Sequence, residues 1–477
     1  VPEGNSYVEP ARGIFHNENS QDRRSRRGLV PTRRASPARR MTAAIDVQHF
    51  INARPVSGYQ RLILFLCFLV VALDGFDTAL VGFIAPAIQS EWAIGAARLT
   101  PLMMAGLGGL LIGAFGFGPL SDRLGRRPVL LVTTGLFGIM TIASGFAASI
   151  EQLTALRFLT GLGLGGAMPN ALTLCAEYSP DRRRATLLTL MFCGFTVGMA
   201  SSGFIAAAVI PTLGWRWVLY LGGLAPLVLV PLLALLPESS QFLVLKGGRD
   251  RQIARNLGRL APHEDLTDAI FVTPGRASGA PVRQIFAEGL ARGTLLMWCA
   301  FFMSLLIVYL VGNWLPLILT GTGVGKSTAA LVTTGFHVGG TAGALVWGRL
   351  MDRFDENRVL AAAYGLAALV IVAVGLASHV LWVVAAGLVA IGFCVSGGQV
   401  GLNALSSGFY PTAARGTGVS WANGVGRIGS IFGSFVGGSL IALGWSAGTI
   451  FLLLAVPAIL GSLAMVLLGR FRAQRAG

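Results

Sequence analysis

The sequence predicts an all-α membrane protein of twelve transmembrane helices in two pseudo-symmetric six-helix bundles. Three observations carry that expectation. Hydrophobic residues make up 54% of the chain and charged residues only 12%, about half the charged fraction of a soluble domain, and mean hydropathy is +0.68. Apolar runs of about 20 residues, the length a helix needs to cross a bilayer, recur from residue 62 to 469. The two halves of that region also echo each other in sequence.

In order, the runs cover 62–88, 99–120, 128–149, 152–176, 185–210 and 216–236 in the first half. They cover 293–319, 328–348, 359–378, 380–406, 416–443 and 446–469 in the second. Many contain Gly, which lets helix backbones approach closely within a membrane. The division predicted is a disordered basic extension over 1–40, a bundle over 41–236, a linker loop over 237–292 and a bundle with a short tail over 293–477. Residues 1–40 are polar, carry nine Arg and lack apolar periodicity, so they cannot bury enough surface to order themselves. They look foreign to the fold, with Met41 opening a more ordinary beginning; a basic arm drawn to anionic lipid is the functional alternative.

The net charge of +16 invites a nucleic-acid partner, but its distribution excludes one. With a cytoplasmic N-terminus, the short inside connections and the C-terminal tail hold 13 Arg, whereas the outside loops hold only Arg98, Arg216 and Lys326. That asymmetry is the positive-inside pattern of a multi-pass protein in the cytoplasmic membrane with both termini inside. The five cysteines all lie within apolar runs and form no CxxC pair, so they read as small apolar filler, with neither metal nor disulfide expected. "TGTGVGKST" from Thr320 nearly spells a phosphate-binding loop, but its first position is Thr rather than Gly and no strand precedes it. No cofactor and no enzymatic activity are expected.

The echo between halves has an offset of about 230. "GPLSDRLGRRPVL" from Gly118 matches "GRLMDRFDENRVL" from Gly348, and "YSPDRRRAT" from Tyr178 resembles "YPTAARGTG" from Tyr410. A duplicated six-helix unit is what a transporter with a site between two halves requires. In the first copy Gly118 and Gly125 permit tight approach. Asp122 accepts hydrogen bonds near a helix end, and Arg123, Arg126 and Arg127 supply donors.

"LVVALDGFDTALVGF" (69–83) places Asp74 and Asp77 in a run without other charge from Leu62 to Ile88. Asp74 lies 13 residues after Arg61 and 15 before Gln89, near the bilayer midplane. Two Asp at that depth cost roughly 5–7 kcal/mol, and the apolar residues of the run return about 5–10 kcal/mol. The helix inserts with little to spare. Spacing of i, i+3 sets both carboxylates on neighbouring parts of one face, toward a partner or water, which suits proton coupling; Asp77 capping a broken turn after Gly75 is the structural alternative.

Arg427 sits about 16 Å into its helix, too deep to snorkel, so it requires an anion: a substrate carboxylate, or Asp74 or Asp77. Arg157 lies nearer a helix end, where snorkelling competes with proton transfer or anion attraction. Trp421 with Asn423, Asn313 with Trp314, and Tyr309 are candidates to line a cavity for a flat ring, and His337 to face the pathway; packing is the bland alternative for each.

The tandem halves and "GPLSDRLGRR" resemble the major facilitator superfamily over residues 45–470. "LDGFDTALVGFIAPAI" resembles the first-helix signature of its aromatic acid:proton symporter family. "RFLTGLGLGGAMPN" resembles the superfamily's fourth-helix motif, with Thr160 where Gln is usual, and "LPESSQFLVLKG" its boundary after helix 6, with Ser240 and Gln241 departing. The resemblance implies the major facilitator fold and proton-coupled import, by alternating access, of a benzoate-, hydroxybenzoate- or phenylpropanoate-like carboxylate. With it, the candidates for proton coupling are Asp74 and Asp77, and those for substrate contact are Arg427 and, by anion attraction, Arg157. Glu177, Asp352 and Arg415 match charged positions of that family and are expected to gate the cytoplasmic side with the 118–127 loop. The partners expected are the aromatic acid, protons and the lipid bilayer, with the chain acting as a monomer. Rivals are import of another organic anion, drug export by antiport (disfavoured by "GFTVGMASSGF" in helix 5, which lacks the antiporter signature) and a non-transporting sensor.

Overall fold

A computed structural model describes residues 44–476, except 263, 265, 267–268, 274–281, 288 and 412–413. The 1–40 extension therefore lies outside the described residues. Among the described residues, twelve helices are long and apolar enough to cross a membrane. In the first half they are α1 (Gly58–Trp92), α2 (Ala96–Leu124), α3 (Arg126–Ser144), α4 (Ile150–Glu177), α5 (Asp181–Leu213) and α6 (Trp215–Leu233). The second half has α7 (Ala291–Gly321), α8 (Lys326–Met351), α9 (Glu356–Leu376), α10 (Leu381–Phe409), α11 (Arg415–Ala442) and α12 (Ala447–Ala476).

Each apolar run becomes a helix because a helix satisfies its backbone polar groups within the one segment, without water. The boundaries differ from the hydropathic ones because caps set them. At the start of α1, Ser57 Oγ accepts from Gln60 N while Gln60 Oε1 accepts from Ser57 N, a reciprocal capping box. α3 begins directly after Gly125, whose φ of +109° turns the chain out of α2 in one residue. The 320–328 segment runs from the end of α7 through a turn at 322–325 into the start of α8, so a helix and not a strand precedes the turn.

Packing repeats between the halves. α2 packs on α4, α1 on α5, α3 on α4 and α6, and α1 on α6; six helices later the same pairs recur as α8·α10, α7·α11, α9·α10, α9·α12 and α7·α12. Small residues make these approaches possible: a Cβ added at Gly109 would lie 2.1 Å from Phe158 O, and one at Gly339, 230 residues on, 2.1 Å from Val389 O. Between the halves, α5 meets α8 and α2 meets α11, again equivalent pairs, while α1 meets α7.

The linker carries more structure than a polar loop. It contains short helices Ser240–Lys246 and Asp250–Gly258 and a strand β2 (Ile270–Val272), which pairs in parallel with β1 (Ala44–Asp46). β-Branched Ile45, Ile270 and Val272 suit that pairing. Arg54 Nε donates to Glu264 Oε1 at 3.0 Å, tying the segment before α1 to the linker.

Candidate functional site

Asp74, on α1, is 1% exposed. Thr78, one turn on, donates to its Oδ1 at 3.3 Å. The carboxyl borders a cavity of about 120 Å³ shared by both halves, with Met168, Phe192 and Phe195 on the first-half side and Tyr309, Asn423 and Arg427 on the second. Asp74, Tyr309 and Arg427 interact electrostatically. Among the described residues Arg427 makes no ion pair within 4.0 Å. The site thus sets one guanidinium and one carboxyl against apolar and aromatic walls. This suits an organic anion with an apolar body, because guanidinium pairs with a carboxylate through two parallel hydrogen bonds.

Asp77 has a different setting. It is 0% exposed, and Arg157 of α4 pairs with it: Nη1 donates to Oδ1 at 3.0 Å and Nη2 to Oδ2, while Thr141 of α3 donates to Oδ1 at 2.9 Å. The i, i+3 pair therefore splits, Asp74 toward the shared cavity and Asp77 into a buried ion pair inside the first half. Arg157 does not snorkel; it is 2% exposed and carries its own anion. It lines a smaller neighbouring cavity, of about 20 Å³, with Asp77 and Asn313.

Of the other candidates, Asn423 and Tyr309 reach the shared cavity. Asn313 donates to Ser434 Oγ at 2.8 Å, and the indole of Trp314 donates to Ser434 O at 2.7 Å, both buried between α7 and α11. Trp421 is half-exposed and stacks on Trp298, ring centroids 5.9 Å apart, away from that cavity. His337 is fully buried beside Phe83 and Phe336, outside the cavity lining. Sequence reasoning missed Thr141, Thr196, Ser396, Gln399 and Asn403, neutral polar residues whose facing is fixed only by tertiary packing.

The loop after α2 lies on the face that carries most of the arginines, here the basic face. Arg126 is buried; its guanidinium pairs with Asp122 at 2.5 Å and donates to Ser121 O at 3.0 Å. Its backbone N donates to Glu238 Oε1 at 2.8 Å, and Arg127 N to the same oxygen at 3.3 Å. Glu238, just beyond α6, thereby supplies a carboxylate to the N-terminus of α3, where the helix dipole favours negative charge. A Cβ at Gly125 would overlap that carboxylate. Glu177 accepts from Ser239 Oγ, and the Tyr178 hydroxyl donates to Glu238 O at 2.8 Å. Burial pushes the Tyr178 phenol well up, so it stays a donor across physiological pH. Gly118 has open space beside it, and Arg123 is exposed. In the second half, Asp352 and Arg415 are exposed at the corresponding ends of α8 and α11.

Contacts between the halves gather at the opposite face. Lys326 Nζ donates to Ser90 Oγ at 2.6 Å and Ser327 Oγ to Ala207 O. There Gly82 abuts Gly312 O, and Gly438 abuts Thr100. Deeper, Thr341 donates to Thr196 at 2.8 Å beside the cavity. On the basic face, Gly118, Gly348, Gly408 and Gly416 have open space where a side chain would stand.

Comparison with known proteins agrees with this architecture. The sequence profile of the Major Facilitator Superfamily matches residues 67–318 and 297–476. The chain is 46% identical to the gallate transporter of Pseudomonas putida, covering 90% of this chain and 96% of that one. It is 44% identical to the 4-hydroxybenzoate transporter of Pseudomonas aeruginosa, covering 91% and 98%. Among solved structures, the inward-open xylose transporter of E. coli superposes with a TM-score of 0.68 at 18% identity, over 85% of this chain and 95% of that one. This is a likeness of fold alone. Twelve spanning helices, repeated six-helix packing and these relatives together place the chain in the Major Facilitator Superfamily, alongside aromatic acid transporters.

Proposed function

We propose that this protein imports aromatic carboxylates across the cytoplasmic membrane together with protons, by alternating access. One observation carries the reading: Asp74 of the first half and Arg427 of the second border a single apolar-walled cavity. Relatives named as gallate, 4-hydroxybenzoate and benzoate transporters support the substrate class. The basic face is cytoplasmic, the chain works as a monomer, and 41–236 and 293–477 rock as two bundles joined by 237–292.

In the cycle, a proton from outside neutralises Asp74 as Arg427 captures the carboxylate. Neutralising the aspartate leaves the arginine free to bind the incoming anion. The halves then rock, and proton and anion leave at the basic face. Asp77, paired with Arg157, holds α1 against α4. Arg157 acts through that pair, and the turn at 118–127 acts as a gate element with Glu177, Asp352 and Arg415.

The test is initial uptake of labelled 4-hydroxybenzoate by cells expressing the chain, at several external pH values. Uptake should rise as external pH falls and collapse with a protonophore. Uptake indifferent to both sinks the proton coupling; no uptake or competition by any aromatic acid sinks the substrate class.

A further inference from the structure

We propose that Gln399 reads a hydroxyl group on the substrate ring, so that hydroxylated aromatic acids, rather than benzoate itself, are the preferred cargo. This rests on the aromatic-acid reading above and narrows it. Ser396, Gln399 and Asn403 are spaced three and four residues apart on α10, which puts them on one face of the helix, and all three line the cavity of Asp74 and Arg427.

Gln399 is the distinctive member. Its Oε1 is buried and has no donor among the described protein atoms. The neighbouring amides do not reach it: Asn403 Nδ2 donates to Gln399 O at 3.2 Å, and Asn423 Nδ2 to Val419 O at 3.0 Å, each within its own helix. Met168, Phe192, Phe195, Met199 and Leu305 supply apolar walls that offer that carbonyl no donor.

A buried acceptor without a donor is unfavourable, so a ligand that donates there gains by it. An ionised carboxylate only accepts, so the acid group of the substrate cannot serve. A phenolic hydroxyl both donates and accepts, and it satisfies the amide whichever way the amide is turned. Benzoate has no such group and would leave the carbonyl bare. Sites built to hydrogen-bond a substrate hydroxyl reject the analogue that lacks it for this reason.

The experiment measures initial uptake of 4-hydroxybenzoate and of benzoate by the purified full chain in proteoliposomes, acid outside. The readout is the ratio of the two kcat/KM values, in which the amount of active transporter cancels. The wild type should favour 4-hydroxybenzoate by about tenfold, the worth of one hydrogen bond. Gln399→Leu should bring the ratio near one, through KM. Gln399→Met, a second apolar replacement of similar length, should do the same and serves if the leucine variant fails to reach the membrane. An unchanged ratio in the variants overturns the proposal, as water would then serve the carbonyl. A wild type that favours benzoate overturns it too, with the aromatic-acid reading intact. A wild type that takes up neither acid sinks both together.

Discussion

Two aspartates three residues apart on one helix meet opposite fates. Their depth and spacing are legible in "LVVALDGFDTALVGF"; the division of labour is not. The partner that claims Asp77 is Arg157, 80 residues away, with Thr141 from a third helix, and apolar periodicity carries no information about which inward-facing charges meet. Sequence alone therefore points both aspartates toward proton coupling, with a helix cap as the structural alternative for Asp77, and does not find the Arg157 partner. The consequence is testable. Asp74→Asn should abolish the dependence of uptake on external pH while the protein stays folded, since among the described residues only Thr78 hydrogen-bonds the Asp74 side chain. Asp77→Asn leaves the Arg157 charge buried without its counter-ion, which costs about 3–5 kcal/mol. It should lower the melting temperature in detergent. Asp77→Asn with Arg157→Gln should recover much of that loss, because no lone charge remains. Equal melting temperatures for Asp77→Asn and wild type would refute the structural role of the pair.

At the scale of elements, the turn between α2 and α3 shows what a motif conveys and what it leaves out. Gly125, Arg126 and Asp122 are read directly from "GPLSDRLGRR", and the buried Arg126 bonded to Ser121 O and Asp122 fits donors near a helix end. The carboxylate that completes the turn comes from Glu238, 112 residues later in sequence. The "LPESSQFLVLKG" boundary marks that region without saying which helix end it serves. Glu238 accepts from two backbone N–H groups at the start of α3. Its removal in Glu238→Ala should cost about 1–2 kcal/mol, as for other lost N-terminal caps, and lower the melting temperature. Glu238→Gln, which keeps an acceptor but loses the charge, should cost less. If both variants melt with the wild type, the cap contributes nothing. The β1–β2 pair is illegible for a related reason: three-residue strands are too short for periodicity to register, and their partners lie 226 residues apart.

At the scale of the molecule, the internal repeat foretold the packing better than any single residue did, because duplication conserves which helix meets which. It does not say which face is closed. Here the halves touch through Lys326 and Ser90, Ser327 and Ala207, and the close approach of α1 to α7 at Gly82 and Gly312, all at the face opposite the arginine-rich turns. If transport requires the halves to rock about the cavity, those contacts must part in every cycle. Cysteines at Ser327 and Ala207, the positions of one such contact, should form a disulfide under mild oxidation, provided the geometry of the bond is met. The five native cysteines lie elsewhere, four of them buried. The oxidised double variant should lose at least about nine-tenths of its uptake, since one covalent bond outweighs the 1–3 kcal/mol typical of coupling between conformations, and reductant should restore it. Each single variant under the same oxidation controls for damage. Cross-linked protein, verified by its altered electrophoretic mobility, that still imports at the wild-type rate would show that this seam stays shut throughout the cycle and that the rocking scheme is wrong.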